Sequence, residues 1–383
     1  MPRLVALDLP GGTAFVEALQ RVWDAGDAVL PVDHRLPPAA ATALVETMHA
    51  AAVIDADGEH SIDHGVPTEV GDALVVATSG STGVPKGVVL THDAVAASAA
   101  ATSARLNISD DDHWLACLPL AHIGGLSVVT RALHRGVGLT VLPRFDADSV
   151  TKAAANGATL TSLVATALQR IDPSMFRCIL LGGSRPPADR PANCVATYGM
   201  TETGSGVVYD GVALAGVEIR IATDQEILIR CPMMLRGYRD GTTPIDADGW
   251  LHTGDLGAWL DNDDGGDDDG DDVGGTRLHV EGRAGDLIIT GGENVWPETV
   301  EAALLTHPMV ADAGVAASPD PVWGQRVEAW IVAADPAAPP TLAELRDHVS
   351  ATLPAFMAPR ELFVVDRLPR TALGKLQRTL LAR

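Results

Sequence analysis

The stretch ALVVATSGSTGVPKGVVLTHDAVAASAAATSARLN, residues 73–107, decides how the chain is read. Its opening, ALVVATSG (73–80), is an unbroken apolar run closed by Ser and Gly, the pattern of a short strand buried on both faces. Its end, 91–107, has helical spacing, with Thr91 in place to cap the first turn. Between them, TSGSTGVPKGV (78–88) concentrates groups that suit a phosphate. Thr78, Ser79, Ser81 and Thr82 supply four hydroxyls, Gly80 and Gly83 let backbone N–H groups approach closely, and Lys86 supplies a charge. A plain surface loop is the blander reading. It is disfavoured because the glycines follow a buried strand directly. A Walker A loop does not fit, because it needs Ser or Thr after its lysine, whereas Lys86 is followed by Gly87. The other Gly-Lys pair, Gly374–Lys375, is followed by Leu376.

Working outward, the 383 residues allow two or three folded units, and 46% hydrophobic content is ample for a core. Aromatics are only 4%, so that core is mostly Ala, Val, Leu and Ile. Acidic residues outnumber basic ones 50 to 27, a net charge of −23 that disfavours nucleic acid and anionic membrane surfaces as partners. Eight Asp lie in DNDDGGDDDGDDVGG (261–275), which has no periodicity and reads as a solvated loop. An EF-hand there fails, since the twelfth position from Asp261 is Asp272 where a chelating Glu is wanted. The four cysteines, Cys117, Cys178, Cys194 and Cys231, are far apart in apolar surroundings and read as buried thiols. No basic-then-apolar leader opens the chain and no apolar run approaches 18 residues, so a soluble cytoplasmic protein without membrane insertion is expected.

Further apolar bursts at 113–120, 139–143, 178–183 and 195–199 end in Gly or Pro and alternate with helical patterns. Such alternation predicts α/β sheets, whose ligands collect at the C-terminal ends of strands. After about residue 215 the texture changes to short antiparallel strands. The last hundred residues predict a compact α+β unit, with a helix opened by Pro297 and another placing Leu342, Leu345, Val349 and Leu353 on one face.

Several motifs, in order, resemble the adenylate-forming superfamily of acyl- and aryl-CoA synthetases, adenylation domains and firefly-type luciferases. They are GDAVLPVDHRLP (26–37), TSGSTGVPKGV, PLAHIGGL (119–126), GGS (182–184), YGMTE (198–202), HTGDLG (252–257), GRAGDLIITGGENVWPETVE (282–301) and PRTALGKLQR (369–378). The resemblance covers nearly the whole chain. It implies a large N-terminal α/β domain with a small distorted β-barrel-like part (1–282), a hinge (283–286) and a small mobile α+β domain (287–383). It also implies ATP, Mg²⁺ and coenzyme A as ligands, and a two-step reaction. A carboxylate first attacks the α-phosphate of ATP to give an acyl-adenylate and pyrophosphate; a thiol then attacks the activated carbonyl.

On this resemblance, Lys375 bridges the carboxylate and α-phosphate, Glu202 ligates Mg²⁺, Thr201 bonds the α-phosphate and Tyr198 stacks on adenine beside Gly183, Ser184 and Gly199. Asp255 and Arg283 take the ribose hydroxyls. Gly291 and Gly292 let the phosphopantetheine arm pass, and Gly285 is the pivot, where many relatives carry Asp or Lys. His122 either borders the acyl pocket or is a packed core histidine. Within the superfamily the short N-terminus, TYGMTETGSGVVYDGVALAGVEIRI (197–221) and IITGGENVWPETVE (288–301) are most similar to compact o-succinylbenzoate–CoA ligases of menaquinone biosynthesis. The alternatives are a ligase for another aryl or fatty acid, an enzyme loading a carrier protein, a nucleotide-binding pseudoenzyme and a luciferase-type oxygenase. A dicarboxylate would need a positive group at the far end of its pocket, for which Arg185 is a candidate. A homodimer is expected by analogy with the family.

Overall fold

The computed structural model describes residues 1–78, 85–183, 187, 189–260, 276–370 and 376–381. The chain divides into two compact units. The larger comprises Met1–Arg220, Leu228–Thr253 and Leu260–Leu278, and the smaller Ile221–Ile227, Gly254–Trp259 and His279–Arg383.

Two seven-stranded sheets organise the larger unit. The first runs in the order Gly237–Tyr238, Lys86–Thr91, Asp72–Thr78, Ala28–Pro31, Leu4–Leu7, Ala52–Asp55, Gly58–Ser61. Its interior strand Leu4–Leu7 is fully buried and pairs in parallel with both neighbours, as suits an uninterrupted apolar run. The strand expected at 73–80 is Asp72–Thr78, and Thr91 caps helix His92–Arg105 by accepting the Ala94 N–H at 3.1 Å. Lys86 departs from the loop reading. It begins strand Lys86–Thr91, which pairs antiparallel with Asp72–Thr78 so that Thr78 faces Lys86. Of the glycine-rich segment, Ser79, Gly80, Ser81, Thr82 and Gly83 lie outside the described residues.

The second sheet runs Val212–Ala213, Ser205–Tyr209, Cys194–Met200, Cys178–Leu181, Leu160–Leu163, His113–Ala116, Gly138–Val141. Its pairs from Cys194–Met200 through to Gly138–Val141 are all parallel, so their C-terminal ends share one edge. Helix Ile123–Arg135 buries Gly125 to Ala132, and Gly125 is fixed by close approach to the Pro119 and Leu118 carbonyls. A further four-stranded sheet runs in the order Glu218–Ile221, Glu226–Arg230, Leu251–Leu260, Arg277–Arg283.

In the smaller unit, strands Ile288–Thr290, Glu293–Val295, Val310–Asp320, Gly324–Ala333 and Glu361–Val364 form one sheet. Helices Pro297–Leu305 and Leu342–Ser350 contribute Val300, Leu304, Leu345 and Val349 to its core. The second begins in a capping box between Thr341 and Glu344. All four cysteines are buried, and burial pushes the thiols of Cys117, Cys178 and Cys231 up to about 11. No helix among the described residues is long and apolar enough to cross a membrane.

Candidate active site

In the larger unit the site is built on the ends of two adjacent parallel strands. Cys194–Met200 carries Tyr198 and Gly199 and then tightens into the 3₁₀ turn Thr201–Thr203. The turn is held by Thr203, whose hydroxyl accepts the Met200 N–H at 3.0 Å and donates to the Ser205 carbonyl at 2.7 Å. It sets Thr201 and Glu202 just beyond the strand end. Gly199 admits no side chain, because a Cβ there would collide with the Ser205 carbonyl oxygen and sit 2.6 Å from Gly206 Cα. The neighbouring strand Cys178–Leu181 runs out at Gly182 and Gly183, and Gly183 has φ +85°, a left-handed turn that favours glycine. Ser184 and Arg185 lie outside the described residues.

Glu202 is held by a segment far from it in the chain. The Tyr238 hydroxyl donates to Glu202 Oε1 at 3.0 Å, and the Leu235 N–H donates to the Glu202 carbonyl at 2.7 Å. The Lys86 ammonium lies 4.6 Å from the centroid of the Tyr238 ring. Among the described residues, Glu202 Oε2 has no hydrogen-bond donor and no cluster of three metal-ligating side chains exists. One half-buried carboxylate with an uncommitted oxygen fits Mg²⁺ held mainly by substrate phosphates, the usual way a protein binds that ion.

His122 caps helix Ile123–Arg135 with extended backbone, and its Nε2 is buried with no hydrogen-bond partner among the described residues. Burial holds its ring below the ordinary imidazole range, with Asp33 opposing and Arg35 reinforcing. Asp33 and Arg35 form an ion pair at 2.6 Å. A neutral ring beside the 26–37 segment suits a pocket wall, and a buried imidazole nitrogen without a partner is uncommon in plain core packing.

The smaller unit holds the second group. Asp255 is 7% exposed and accepts from Arg283 Nε at 2.7 Å. Gly285 lies in the short 3₁₀ turn Ala284–Asp286, and nothing stands within 4 Å of where its Cβ would be. Gly291 and Gly292, at φ +63° and +87°, form the two-residue turn joining strands Ile288–Thr290 and Glu293–Val295. The turn alone accounts for both glycines, and a Cβ at Gly291 would also meet the Trp323 ring at 2.6 Å. Lys375 lies outside the described residues. Around it, Arg370 and Leu376 pair as an isolated bridge, and Arg370 binds Asp312 at 2.6 Å. Arg378, three residues on, is tied to Glu301 at 2.9 Å, Glu298 at 2.9 Å and Asp286 at 3.1 Å.

Sequence reading missed Tyr238 and Arg131. Arg131 is 2% exposed and solvated by the Ser205 and Tyr209 hydroxyls, with no carboxylate partner among the described residues. An arginine inside the apolar helix pattern was the available signal for it. For Tyr238, in RGYRD (236–240), no local pattern pointed at Glu202, 36 positions away.

The profile of the AMP-binding enzyme family matches residues 66–239, and that of the AMP-binding enzyme C-terminal domain matches 299–375. The chain is 40% identical over 406 aligned positions to a probable 2-succinylbenzoate–CoA ligase of Mycobacterium tuberculosis, covering 99% of this chain and 97% of that one. It is 37% identical to the 2-succinylbenzoate–CoA ligase of Bacillus anthracis, over 79% of this chain and 68% of that one. Among solved structures it superposes on o-succinylbenzoate CoA synthetase from Bacillus subtilis in complex with its acyl-adenylate intermediate. There the TM-score is 0.84 at 29% identity, covering 99% of this chain and 88% of that one. The same enzyme with ATP and magnesium ion matches with a TM-score of 0.83. The chain belongs to the family of AMP-binding, adenylate-forming enzymes.

Proposed function

We propose that this chain is an ATP-dependent 2-succinylbenzoate–CoA ligase of menaquinone biosynthesis. It joins the acid to AMP with release of pyrophosphate, then transfers the acyl group to CoA with release of AMP. The observation that carries the reading is the alignment along nearly the whole chain with a probable ligase of that name, and the strand end that presents Tyr198, Gly199, Thr201 and Glu202 supports it.

The roles follow from charge. Negative charge builds on phosphoryl oxygens in the first step, so fixed cations and donors should stabilise it. Thr78, Ser79, Gly80, Ser81, Thr82, Gly83 and Lys86 are assigned to the β- and γ-phosphates, which leave as pyrophosphate. Thr201 is assigned to the α-phosphate, and Tyr198 to the adenine with Gly183, Ser184 and Gly199. Glu202 would hold Mg²⁺, which supplies charge neutralisation to the phosphates when bound. Asp255 accepts from the ribose hydroxyls while Arg283 steadies its carboxylate. Lys375 meets the carboxylate and α-phosphate, His122 borders the acid, and Gly291 and Gly292 line the path of the CoA arm. The domain limits 1–282 and 287–383, the pivot at Gly285, a homodimer and a cytoplasmic location belong to the same proposal.

The test is pyrophosphate release with ATP, Mg²⁺ and a panel of carboxylic acids, with and without CoA. Turnover confined to 2-succinylbenzoate, with a CoA thioester as product, is the expected result. Preference for a benzoate or a fatty acid, or product formation that does not need CoA, would overturn it.

A further inference from the structure

We propose that Tyr238 is a positioning residue that keeps the Lys86 cation and the Glu202 carboxylate apart, each available to a metal–nucleotide. The inference rests on the proposed assignment of Glu202 to Mg²⁺. Opposite charges this close to one side chain would ordinarily pair with each other. Among the described residues, neither Lys86 nor Glu202 forms an ion pair with any group. Tyr238 engages them separately, the ammonium on its ring face and the carboxylate at its hydroxyl, 4.6 Å from the centroid and 3.0 Å from the oxygen. Tyrosine combines an aromatic face with a hydroxyl donor at the far end of the ring.

The segment bearing Tyr238 is itself immobilised on both sides. Gly237 and Tyr238 pair antiparallel with Val89 and Val88. The Arg236 and Arg239 N–H groups donate to the Val89 and Gly87 carbonyls at 2.9 and 2.7 Å. Arg236 grips the buried Asp72 carboxylate through two bonds of 2.9 and 3.0 Å, and Arg239 donates to the Met48 and Pro67 carbonyls. On the other side, the Leu235 N–H fixes the Glu202 carbonyl. Gly87 cannot be enlarged, because a Cβ there would lie 2.7 Å from Met48 Sδ and 2.9 Å from Arg239 Cβ. Residues 235–239 thus form a strut between the strand leaving the phosphate loop and the turn carrying Glu202. Tyr238 is the rung whose side chain touches both charges.

The experiment compares the parent enzyme with Tyr238→Phe, Tyr238→Leu and Glu202→Gln. Two readouts are taken. One is the Mg²⁺ concentration for half-maximal pyrophosphate release. The other is the shift in thermal midpoint produced by ATP, with Mg²⁺ or with EDTA. Removing a group that orients a metal ligand typically weakens metal affinity about 10–100-fold. Tyr238→Phe keeps the ring, so it should raise the Mg²⁺ requirement about tenfold and leave the ATP shift in EDTA unchanged. Tyr238→Leu should raise the requirement and also diminish the ATP shift in EDTA, because Lys86 then loses its platform. A Tyr238→Phe enzyme with the parent's Mg²⁺ dependence overturns the proposal when Glu202→Gln still raises the requirement. If Glu202→Gln does not raise it either, the assignment of Glu202 to the metal fails, and the role of Tyr238 with it.

Discussion

Arg378 offers the most quantitative prediction. Its side chain is 12% exposed and its guanidinium is shared by Glu298, Glu301 and Asp286, while Nε donates to the Val315 carbonyl at 3.2 Å. Glu301 is equally enclosed, at 13% exposure, and also accepts the Val315 N–H at 2.8 Å. Burial pushes the Glu301 carboxyl from its ordinary 4.5 up to about 7, with Arg378 the strongest opposing influence. Arg378→Met keeps the stem's packing but leaves Glu301 buried and unpaired, a change that costs roughly 3–5 kcal/mol. The sign of the pH dependence follows. A carboxyl raised in the folded state destabilises progressively as pH climbs from its unfolded value to its folded one. In the parent that loss is complete near pH 7. In the variant, without Arg378, the folded value lies higher, so stability keeps falling above pH 7. The deficit should be larger at about pH 8.5 than at about pH 6. Urea unfolding of the full chain at the two pH values measures it, with hydrogen exchange over 297–305 and 310–320 locating the loss. The double variant Arg378→Met/Glu301→Gln removes the stranded charge and keeps an acceptor for Val315, so it should regain most of the stability and flatten the pH response. A single-variant cost below about 1 kcal/mol, the range of exposed pairs, or an equal deficit at both pH values, would refute the reasoning.

The other expectations concern the two steps and the core. Lys375→Ala should abolish adenylate formation yet spare thioester formation from supplied acyl-adenylate; equal loss of both steps would remove Lys375 from its role. Gly285→Pro should slow the thioester step more than the first, because proline restricts the pivot backbone while nothing lies within 4 Å to clash with an added side chain. Unchanged single-turnover thioester formation would count against the pivot. Gly199→Ala should cost about 1–3 kcal/mol or more, as expected for overpacking, and weaken ATP binding, because its Cβ must displace the Ser205–Gly206 strand; a fully stable variant would show that the two strands can part freely. Cys117, Cys178 and Cys231 should resist a thiol reagent at pH 8 in the native protein and react on unfolding, since their thiols titrate near 11. Rapid native labelling at any of the three would contradict their burial.

Where a signal is local, the sequence alone was sufficient. Apolar runs closed by glycine marked the strands Asp72–Thr78, Cys178–Leu181 and Cys194–Met200. Thr91 and Pro297 marked helix starts because caps and first-turn prolines act within one turn of chain. The motifs containing Glu202, Asp255 and Arg283 stand in the sequence as short runs, and the roles proposed for them rest on residue type and short spacing. What joins distant segments was not legible there. That Lys86 opens a strand opposite Thr78 follows from sheet register, and the segment's glycines and Pro85 obscured it. Four strands of the first sheet, Leu4–Leu7, Ala28–Pro31, Ala52–Asp55 and Gly58–Ser61, are only four residues long, too brief for periodicity to declare. Arg131, on a helix, is sequestered among hydroxyls contributed by the strand Ser205–Tyr209, and Arg378 collects carboxylates 77 or more positions away. Tyr238 meets Glu202 across 36 positions of chain, on a segment held in place by the edge pairing of Gly237–Tyr238. Local composition selects which elements form and which residue types can do the chemistry. Register and packing, which depend on segments far apart in the chain, decided which charges meet and which are kept apart.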